Sequence, residues 1–420
     1  MGIDGRGSFL RYSIGMDKVV VIMPTYNEKE NIGRMIDSLF DEEFPKITGA
    51  EMHLLVVDDN SPDGTGEVVR EKMKKFKNLH ILTGEKQGLG MAYARGMRYA
   101  MDKMGADAVM EMDADFQHDP KYVKDMVAAY LSGADYVIGS RYIKGGSIPS
   151  GWEWHRKAVS YFGNLFARIV LFLPQLHDMT TGFRLTRVKG VLEKIELSKL
   201  MELARFAHKV DLFYQTVKLS KKTVEVPIHF AERAKETSKF SFKEVFTTYK
   251  VVLLIRLRES IRFLKFGTVG FIGFVVNAVG IEVFRRLALT EGLAAAFLSV
   301  SGVWGLGVMA EPSSWAAALG AELSIISNFT LNNIWTFREK RITEPGKLVG
   351  KFLTFNLTSL GAIVIQFAVI GAAVGIFGDT TLVRQGALVA AIAFLIIPYN
   401  YTMYNLFIWK TWKLPWQKRK

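Results

Sequence analysis

KVVVIMPTYNE, residues 18–28, is an apolar run that leads directly into a polar turn. A segment suited to a helix, residues 31–40, and a second apolar run, residues 53–57, follow it. A strand, a turn, a helix and another strand in this order predict the start of an α/β domain on a parallel sheet. Ligands bind such sheets at the carboxyl ends of the strands, so the residues that follow each strand are the candidates for function.

The same alternation continues to about residue 139, and after Gly145 it weakens. The apolar runs that we predict as further strands, and the amphipathic segments that we predict as helices, lie as follows. Strands are predicted at 79–83, 108–112 and 136–139, and helices at 65–76, 90–104 and 120–132.

The composition changes along the chain. Charged residues are dense up to about Lys265 and sparse after it, and the long apolar runs occur only in the second part. With 49% apolar residues the protein is neither disordered nor fibrous. The net charge of +13 is compatible with nucleic acid, an anionic membrane or phosphate-bearing substrates. Because many basic residues flank apolar runs, the pattern favours a membrane, and no nucleic-acid partner is expected.

Two absences in the sequence limit the chemistry and the targeting. The chain has no cysteine, which excludes disulfides, thiolate metal ligands and a catalytic thiol. Residues 1–17 carry Arg6 and Arg11 but no apolar core, so we predict a flexible leader and no signal peptide. The domain that follows, residues 18–240, is therefore expected on the cytoplasmic side of a membrane.

Four segments are long enough to cross a bilayer: residues 266–284, 315–335, 352–376 and 386–408. Basic residues precede the first segment, separate the second from the third and follow the fourth, in the tail 411–420. The positive-inside rule makes these three flanks cytoplasmic and requires an even number of crossings, although Arg285 and Arg286 oppose it. The short apolar run 294–310 is interpreted as interfacial or external, which leaves a four-helix membrane domain over residues 265–410.

Two further patterns concern the membrane part. Residues 156–173 and 241–264 combine basic, aromatic and aliphatic residues at helical spacing, which is typical of interfacial helices and equally of helices packed on a sheet. A weak internal repeat pairs Lys265-Phe266 with Lys351-Phe352 and residues 333–335 with residues 407–409. This repeat indicates two duplicated helical hairpins.

The residues after the fourth predicted strand are the strongest site candidates. Asp113 and Asp115 stand two apart directly after the run 108–112, so both carboxylates can face one side. Gln117 adds a third oxygen, and oxygen ligands of this kind suit Mg²⁺ together with substrate phosphates. Asp119-Pro120 instead reads as a helix cap followed by proline at the first helical position.

Here a resemblance becomes specific. The stretches PTYNE, VDDNSPDGT, GLGMAYARG, MDADFQHDP and IGSRYIKGG, in this order, resemble the polyprenyl phosphate sugar synthases of inverting glycosyltransferase family two. The resemblance covers residues 19–239 and implies the GT-A (Rossmann-like) nucleotide-sugar fold. The stretches KFGTVGFIGFVVN and SNFTLNNIWTF resemble the four-helix membrane proteins that accompany or are fused to such transferases.

The resemblance also implies roles for particular residues. Asp113, Asp115 and Gln117 would hold Mg²⁺ or Mn²⁺, and Arg141, Arg156 and Ser160 would bind the acceptor phosphate. The residues implied in donor binding are Pro24, Tyr26, Glu28, Val57, Asp59, Asp113, Ala114, Asp115, Gln117, Arg233 and Lys239. Lys235 is a further candidate for the pyrophosphate, because Glu236 departs from the family pattern there and leaves the roles of Arg233, Lys235 and Lys239 open.

The expected reaction is the transfer of one mannose from GDP-mannose to dolichyl or another polyprenyl phosphate, with inversion. An acceptor that is already an anion needs no general base. The alternatives are the same chemistry with UDP-glucose, a processive polysaccharide synthase, and a lipid-sugar flippase built from the membrane half. The processive class usually carries a Gln-x-x-Arg-Trp helix, which this sequence lacks.

Overall fold

A computed structural model describes residues 16–231, 242–300, 312–378 and 380–412. The chain divides into two compact units, residues 1–257 and 258–420. The leader to residue 15 and the end of the basic tail lie outside the described residues, as do Arg233, Lys235 and Lys239.

The first unit is built on a seven-stranded sheet in the order β3-β2-β1-β4-β6-β5-β7. All neighbouring strands are parallel except β6, which is antiparallel to both β4 and β5. The strands are β1 Asp17–Thr25, β2 Ala50–Asp58, β3 Leu79–Thr83, β4 Ala108–Glu111, β5 Tyr136–Ser140, β6 Arg184–Arg187 and β7 Thr223–Pro227.

Side chains alternate between the two faces of the sheet along each strand. Because both faces carry apolar side chains, helices cover both of them. Val19, Val21 and Met23 of β1 point into one core, and Val20 and Ile22 point into the other; all five are fully buried. Each such side chain contributes about 1.5–3 kcal/mol to the stability of the fold. The helices of this unit are α1 Lys29–Asp37, α2 Thr65–Lys72, α3 Leu89–Asp102, α4 Val123–Leu131, α5 Trp154–Val170 and α6 His208–Leu219.

Helix α3 packs on the sheet through Gly96. A Cβ atom at this position would lie 2.7 Å from Ile22 Cγ2 and 2.8 Å from Val57 Cγ2. This close approach aligns the helix over β1 and β2, whose last residues, Thr25 and Asp58, are paired in the sheet. The turns that follow β1 and β2 therefore start side by side.

The expected α/β fold is confirmed, but the sheet is mixed rather than parallel. The apolar pattern did not predict β6, because two of its four residues are arginines. Arg184 is nevertheless fully buried and donates to the carbonyl oxygens of Thr181, Lys209 and Met179, at 2.7, 2.7 and 3.3 Å. A charged residue such as arginine is usually exposed, but it can lie in the core when its N–H groups are hydrogen-bonded to carbonyl oxygens.

The second unit is helical. Helix α7 runs from Phe242, in the first unit, to Arg285 without a break, so the described part of the predicted interfacial segment 241–264 and the predicted span 266–284 form one helix. In the described residues two helices are long and apolar enough to cross a membrane, Lys243–Arg285 and Ala391–Ile408. The predicted spans 315–335 and 352–376 fall on α9 and α10. The remaining helices are α8 Ala288–Val300, α9 Pro312–Leu331, α10 Pro345–Phe377, α11 Thr381–Ala390 and α12 Ile397–Met403.

The internal repeat has a different register from the one predicted. NFTLNNIWTF, residues 328–337, corresponds to NYTMYNLFIW, residues 400–409, and both end in a π-turn. The equivalent hydrogen bonds are Phe337 N to Asn332 O at 2.8 Å and Trp409 N to Tyr404 O at 3.0 Å. The rings of Phe337 and Trp409 stack with their centroids 4.2 Å apart. The two stretches therefore share one local backbone geometry, and the duplicated hairpin stays a prediction.

Candidate active site

The loop after β4 folds back on itself around its acidic residues. Gln117 N donates to Asp115 Oδ1 at 3.1 Å, and Asp113 N donates to His118 Nδ1 at 3.3 Å. Phe116 has a φ of 59°, in the left-handed region that a tight turn requires. Asp113 and Gln117 line a cavity in the first unit, and the Asp115 side chain is buried beside them.

Asp113 is held by three neighbours that the sequence did not single out. Tyr93 OH donates to Asp113 Oδ1 at 2.7 Å, and Lys209 Nζ lies 3.7 Å from Asp113 Oδ2. His118 Nδ1 lies 3.8 Å from Asp113 Oδ2, and burial lowers the pKa of His118 below its usual value even though Asp113 opposes this. His118 belongs to the same motif as Asp113, whereas Tyr93 and Lys209 come from distant segments, so only the fold brings these two side chains to the carboxylate.

The donor atoms at this loop fit a hard divalent cation. In the described residues there is no group of three or more His, Cys, Asp or Glu side chains that could hold a metal. Two carboxylates and an amide oxygen, completed by substrate phosphates, are the ligands that Mg²⁺ takes in such sites. The residues present are therefore compatible with the expected metal site, in which substrate phosphates would be the remaining ligands.

The two turns expected to bind a nucleotide are joined by hydrogen bonds. Asn27 N donates to Ser61 Oγ at 3.1 Å, and Glu28 N donates to Thr65 Oγ1 at 3.0 Å. Tyr26 is exposed and carries Lys86 Nζ at 3.4 Å from its ring centroid, a cation–π contact. This edge of the sheet therefore presents an aromatic ring and a cation to solvent.

Not every predicted donor-binding side chain reaches that edge. The side chain of Val57 is fully buried in the core, and that of Ala114 is buried too, so either residue could meet a ligand only through its backbone. Pro24 ends the fully buried part of β1 and is half-buried. Asp59 is buried, and Arg95 Nη2 donates to its Oδ1 at 2.5 Å. Burial raises the pKa of Asp59 although Arg95 opposes that rise.

Arg141 is part of a buried ion pair. Its Nε and Nη2 donate to the two carboxylate oxygens of Asp178, each at 2.7 Å, and Nη2 also donates to Thr180 Oγ1 at 2.9 Å. Burial alone would raise the pKa of Asp178, but the guanidinium outweighs that effect and the pKa lies below its usual value. The guanidinium carbon also lies 5.2 Å from the centroid of the Phe230 ring. Arg141 thus lines the cavity in a fixed orientation set by a carboxylate that the sequence analysis did not identify.

Helix α5 brings the other two predicted acceptor-binding residues to the same cavity. The Arg156 guanidinium lies 3.9 Å from the centroid of the Trp152 ring, and Tyr142 OH donates to Ser160 Oγ at 2.6 Å. One turn further along, the buried Asn164 accepts from Met179 N at 2.8 Å and so fixes the helix to the loop before β6. Arg156 and Ser160 lie one helical turn apart, on one face of α5.

The cavity that these residues share has a volume of about 680 Å³. One part of its wall is polar and the other is apolar, contributed by α5 and the first turns of α7. The polar lining includes Asp113, Gln117, His118, Arg141, Arg156, Ser160 and Lys209; the apolar lining includes Val159, Phe166, Val245, Tyr249 and Val252.

Away from the cavity, helices α5 and α7 expose large apolar side chains. Trp154 is 80% exposed, and Phe162, Ile169 and Phe246 are also well exposed, as is Phe172 just after α5. A soluble surface seldom presents so many large apolar groups on neighbouring helical turns. This surface suits contact with lipid.

Comparison with known proteins gives matches in both units. Residues 20–193 match glycosyl transferase family 2, and residues 265–409 match the GtrA/DPMS transmembrane domain. The dolichol-phosphate mannosyltransferase of Pyrococcus furiosus is 33% identical over 357 residues, 84% of this chain and 89% of that protein. The polyprenol monophosphomannose synthase of Mycolicibacterium smegmatis is 37% identical over 53% of this chain and 81% of that protein. A solved glucosyl-3-phosphoglycerate synthase of Mycobacterium tuberculosis, in complex with Mn²⁺ and UDP-glucose, matches 57% of this chain and 80% of its own at 19% identity, with a TM-score of 0.40.

Proposed function

Since this chain belongs to the family 2 glycosyltransferases that include the dolichol-phosphate mannosyltransferases, we propose that it transfers one mannose from GDP-mannose to a polyprenyl phosphate such as dolichyl phosphate. The products are the polyprenyl phosphate mannose and GDP. The observation that carries this proposal is the cavity in which carboxylates, arginines and an apolar wall meet. An acceptor with an anionic head and a hydrocarbon tail matches this cavity, because its head suits the arginines and its tail suits the apolar wall.

The reaction we propose forms a bond between an acceptor phosphate oxygen and the anomeric carbon of mannose, and breaks the bond from that carbon to GDP. A phosphate oxygen is already an anion, so no side chain has to remove a proton. Arg141 and Arg156 offset the charge of the acceptor, which allows it to approach an anionic donor. Attack from the side opposite the leaving diphosphate inverts the configuration of the carbon.

A divalent cation, Mg²⁺ or Mn²⁺, held by Asp113, Asp115 and Gln117 would supply positive charge on the leaving diphosphate. Asp59 and Tyr26 would contact the nucleotide at the edge of the sheet, with Arg95 holding the Asp59 carboxylate. Arg233, Lys235 and Lys239 are proposed to add charge on the diphosphate side. The membrane unit is proposed as an anchor that keeps the acceptor at headgroup depth.

The test is transfer of radiolabel into the organic phase. Detergent-purified protein would be incubated with Mg²⁺, dolichyl phosphate and labelled GDP-mannose or UDP-glucose. We expect label from GDP-mannose alone. Label only from UDP-glucose would overturn the donor but keep the acceptor and the mechanism, and label from neither would reject the proposed reaction.

Replacing Arg156 by alanine is expected to weaken acceptor binding. A charge-assisted hydrogen bond to a phosphate contributes about 1.5–3 kcal/mol, so the KM for dolichyl phosphate should rise by about 10- to 100-fold. The KM for GDP-mannose should stay within about twofold. Lys157→Ala is the matched control, because the neighbouring Lys157 side chain donates to Ser150 O instead. Equal changes in both KM values would show that Arg156 does not contact the acceptor.

The proposed topology places both termini of the membrane unit in the cytoplasm. Because the chain has no cysteine, single cysteines can be introduced at Thr343, between α9 and α10, and at Gly292, in α8. A membrane-impermeant maleimide should label Thr343→Cys only from the cytoplasmic side, and Gly292→Cys only from the opposite side. Labelling of both positions from one side would contradict the proposed hairpin.

A further inference from the structure

Lys209 is an ammonium group buried at the wall of the cavity. It is the second residue of α6, its side chain is 2% exposed, and Arg184 Nη1 fixes its backbone by donating to its carbonyl oxygen at 2.7 Å. A buried lysine side chain is costly unless its charge is compensated. The groups around Lys209 must therefore compensate its positive charge.

The structure shows what compensates this charge. Lys209 Nζ lies 3.7 Å from Asp113 Oδ2, and in the described residues this is its ion pair. Gly182 makes room for the ammonium, because a Cβ atom there would collide with Nζ and would also lie 3.4 Å from Asp113 Oδ2. Three segments of the chain thus converge to place one cation against one carboxylate.

The carboxylate in question is also a proposed metal ligand. From this geometry we propose that Lys209 is the resident counter-ion of Asp113, and that it releases this carboxylate when a divalent cation binds. The inference rests on the proposed metal site. It adds a positioning residue whose charge keeps the acidic loop in place before the substrates arrive and whose N–H groups then become available to phosphate oxygens.

Tyr93 contacts the same carboxylate, but we expect it to favour metal binding where Lys209 opposes it. Its hydroxyl donates to Asp113 Oδ1 at 2.7 Å, so it orients Asp113 without competing for positive charge. Neighbours that orient a metal ligand typically change metal affinity by about 10- to 100-fold when they are removed. The loss of Lys209 and the loss of Tyr93 should therefore change metal affinity in opposite directions.

The experiment measures the affinity of the full-length protein for Mn²⁺ by electron paramagnetic resonance, in the absence and in the presence of GDP. An opposite charge at this range changes the proton affinity of a carboxylate by about one to three powers of ten, so Lys209→Gln should bind Mn²⁺ at least about tenfold more tightly without GDP. Tyr93→Phe should bind it about 10- to 100-fold more weakly. Lys121→Gln, which removes an exposed lysine paired with Asp119, should not change it.

The outcomes separate the inference from the proposed function. If wild type binds Mn²⁺ and Lys209→Gln binds it equally or more weakly, the counter-ion role is wrong and the metal site stands. If wild type binds no Mn²⁺ even with GDP, the metal site and the inference are both wrong. Lys209→Met, which is closest to lysine in shape, gives the same comparison if the glutamine variant does not fold.

Discussion

Asp115→Asn is expected to lower kcat/KM for transfer by at least about 10³-fold, because it removes one negative charge from the proposed metal site. The substitution is chosen to leave the loop intact. Asp115 Oδ1 accepts from Gln117 N at 3.1 Å, and asparagine keeps that oxygen as an acceptor. A loss of activity would then report the charge rather than the turn.

The matched control is Asp119→Asn, four residues along the same loop. Asp119 accepts from Lys121 N at 3.0 Å and caps the following helical turn, a role that asparagine fills equally well. Its activity should stay within about twofold of wild type, and both variants should melt at the wild-type temperature. If Asp115→Asn keeps most of its activity, Asp115 does not act in the transfer and the metal site has to be reassigned.

The sequence predicted those parts of the catalytic unit whose signal is local. Strands β1 and β2 contain apolar runs, and the motifs that follow them are contiguous, so the turns that hold Tyr26, Glu28 and Asp59 could be placed at the strand ends. The roles of these residues at the site stay predictions. The acidic loop from Asp113 to Gln117 was predictable for the same reason. These elements were found at or near their predicted positions.

The neighbours that fix those residues could not be predicted. Asp178 lies 37 residues from Arg141, and Lys209 lies 96 residues from Asp113, so only the fold brings them together. Strand β6 was missed because Arg184 is buried through hydrogen bonds rather than through an apolar side chain. The periodicity of apolar residues in a sequence predicts which apolar side chains are buried, but it does not predict buried charged residues.

The largest expected effect on stability comes from Asp178→Ala. The substitution would leave the buried Arg141 guanidinium without its carboxylate, and unpairing a buried charge costs about 3–5 kcal/mol. The control is Asp37→Ala, which breaks the more exposed pair with Lys72 and should cost about 0–1 kcal/mol. Thermal unfolding of the detergent-solubilised protein, followed by tryptophan fluorescence, would compare the two. Equal, small shifts would show that the Arg141–Asp178 pair is not important for stability.

The double variant Arg141→Met/Asp178→Leu separates the structural role of the pair from its role in catalysis. Replacing both partners of a buried ion pair by apolar residues is often neutral or stabilising, so much of the stability lost in Asp178→Ala should return. Transfer should not return, because the cavity would lack the guanidinium proposed to bind the acceptor phosphate. Recovery of stability together with activity would mean that Arg141 only supports the fold. Recovery of stability without activity would show that the buried Arg141 is not required for the fold. Its role would then be to provide a fixed positive charge beside the acceptor.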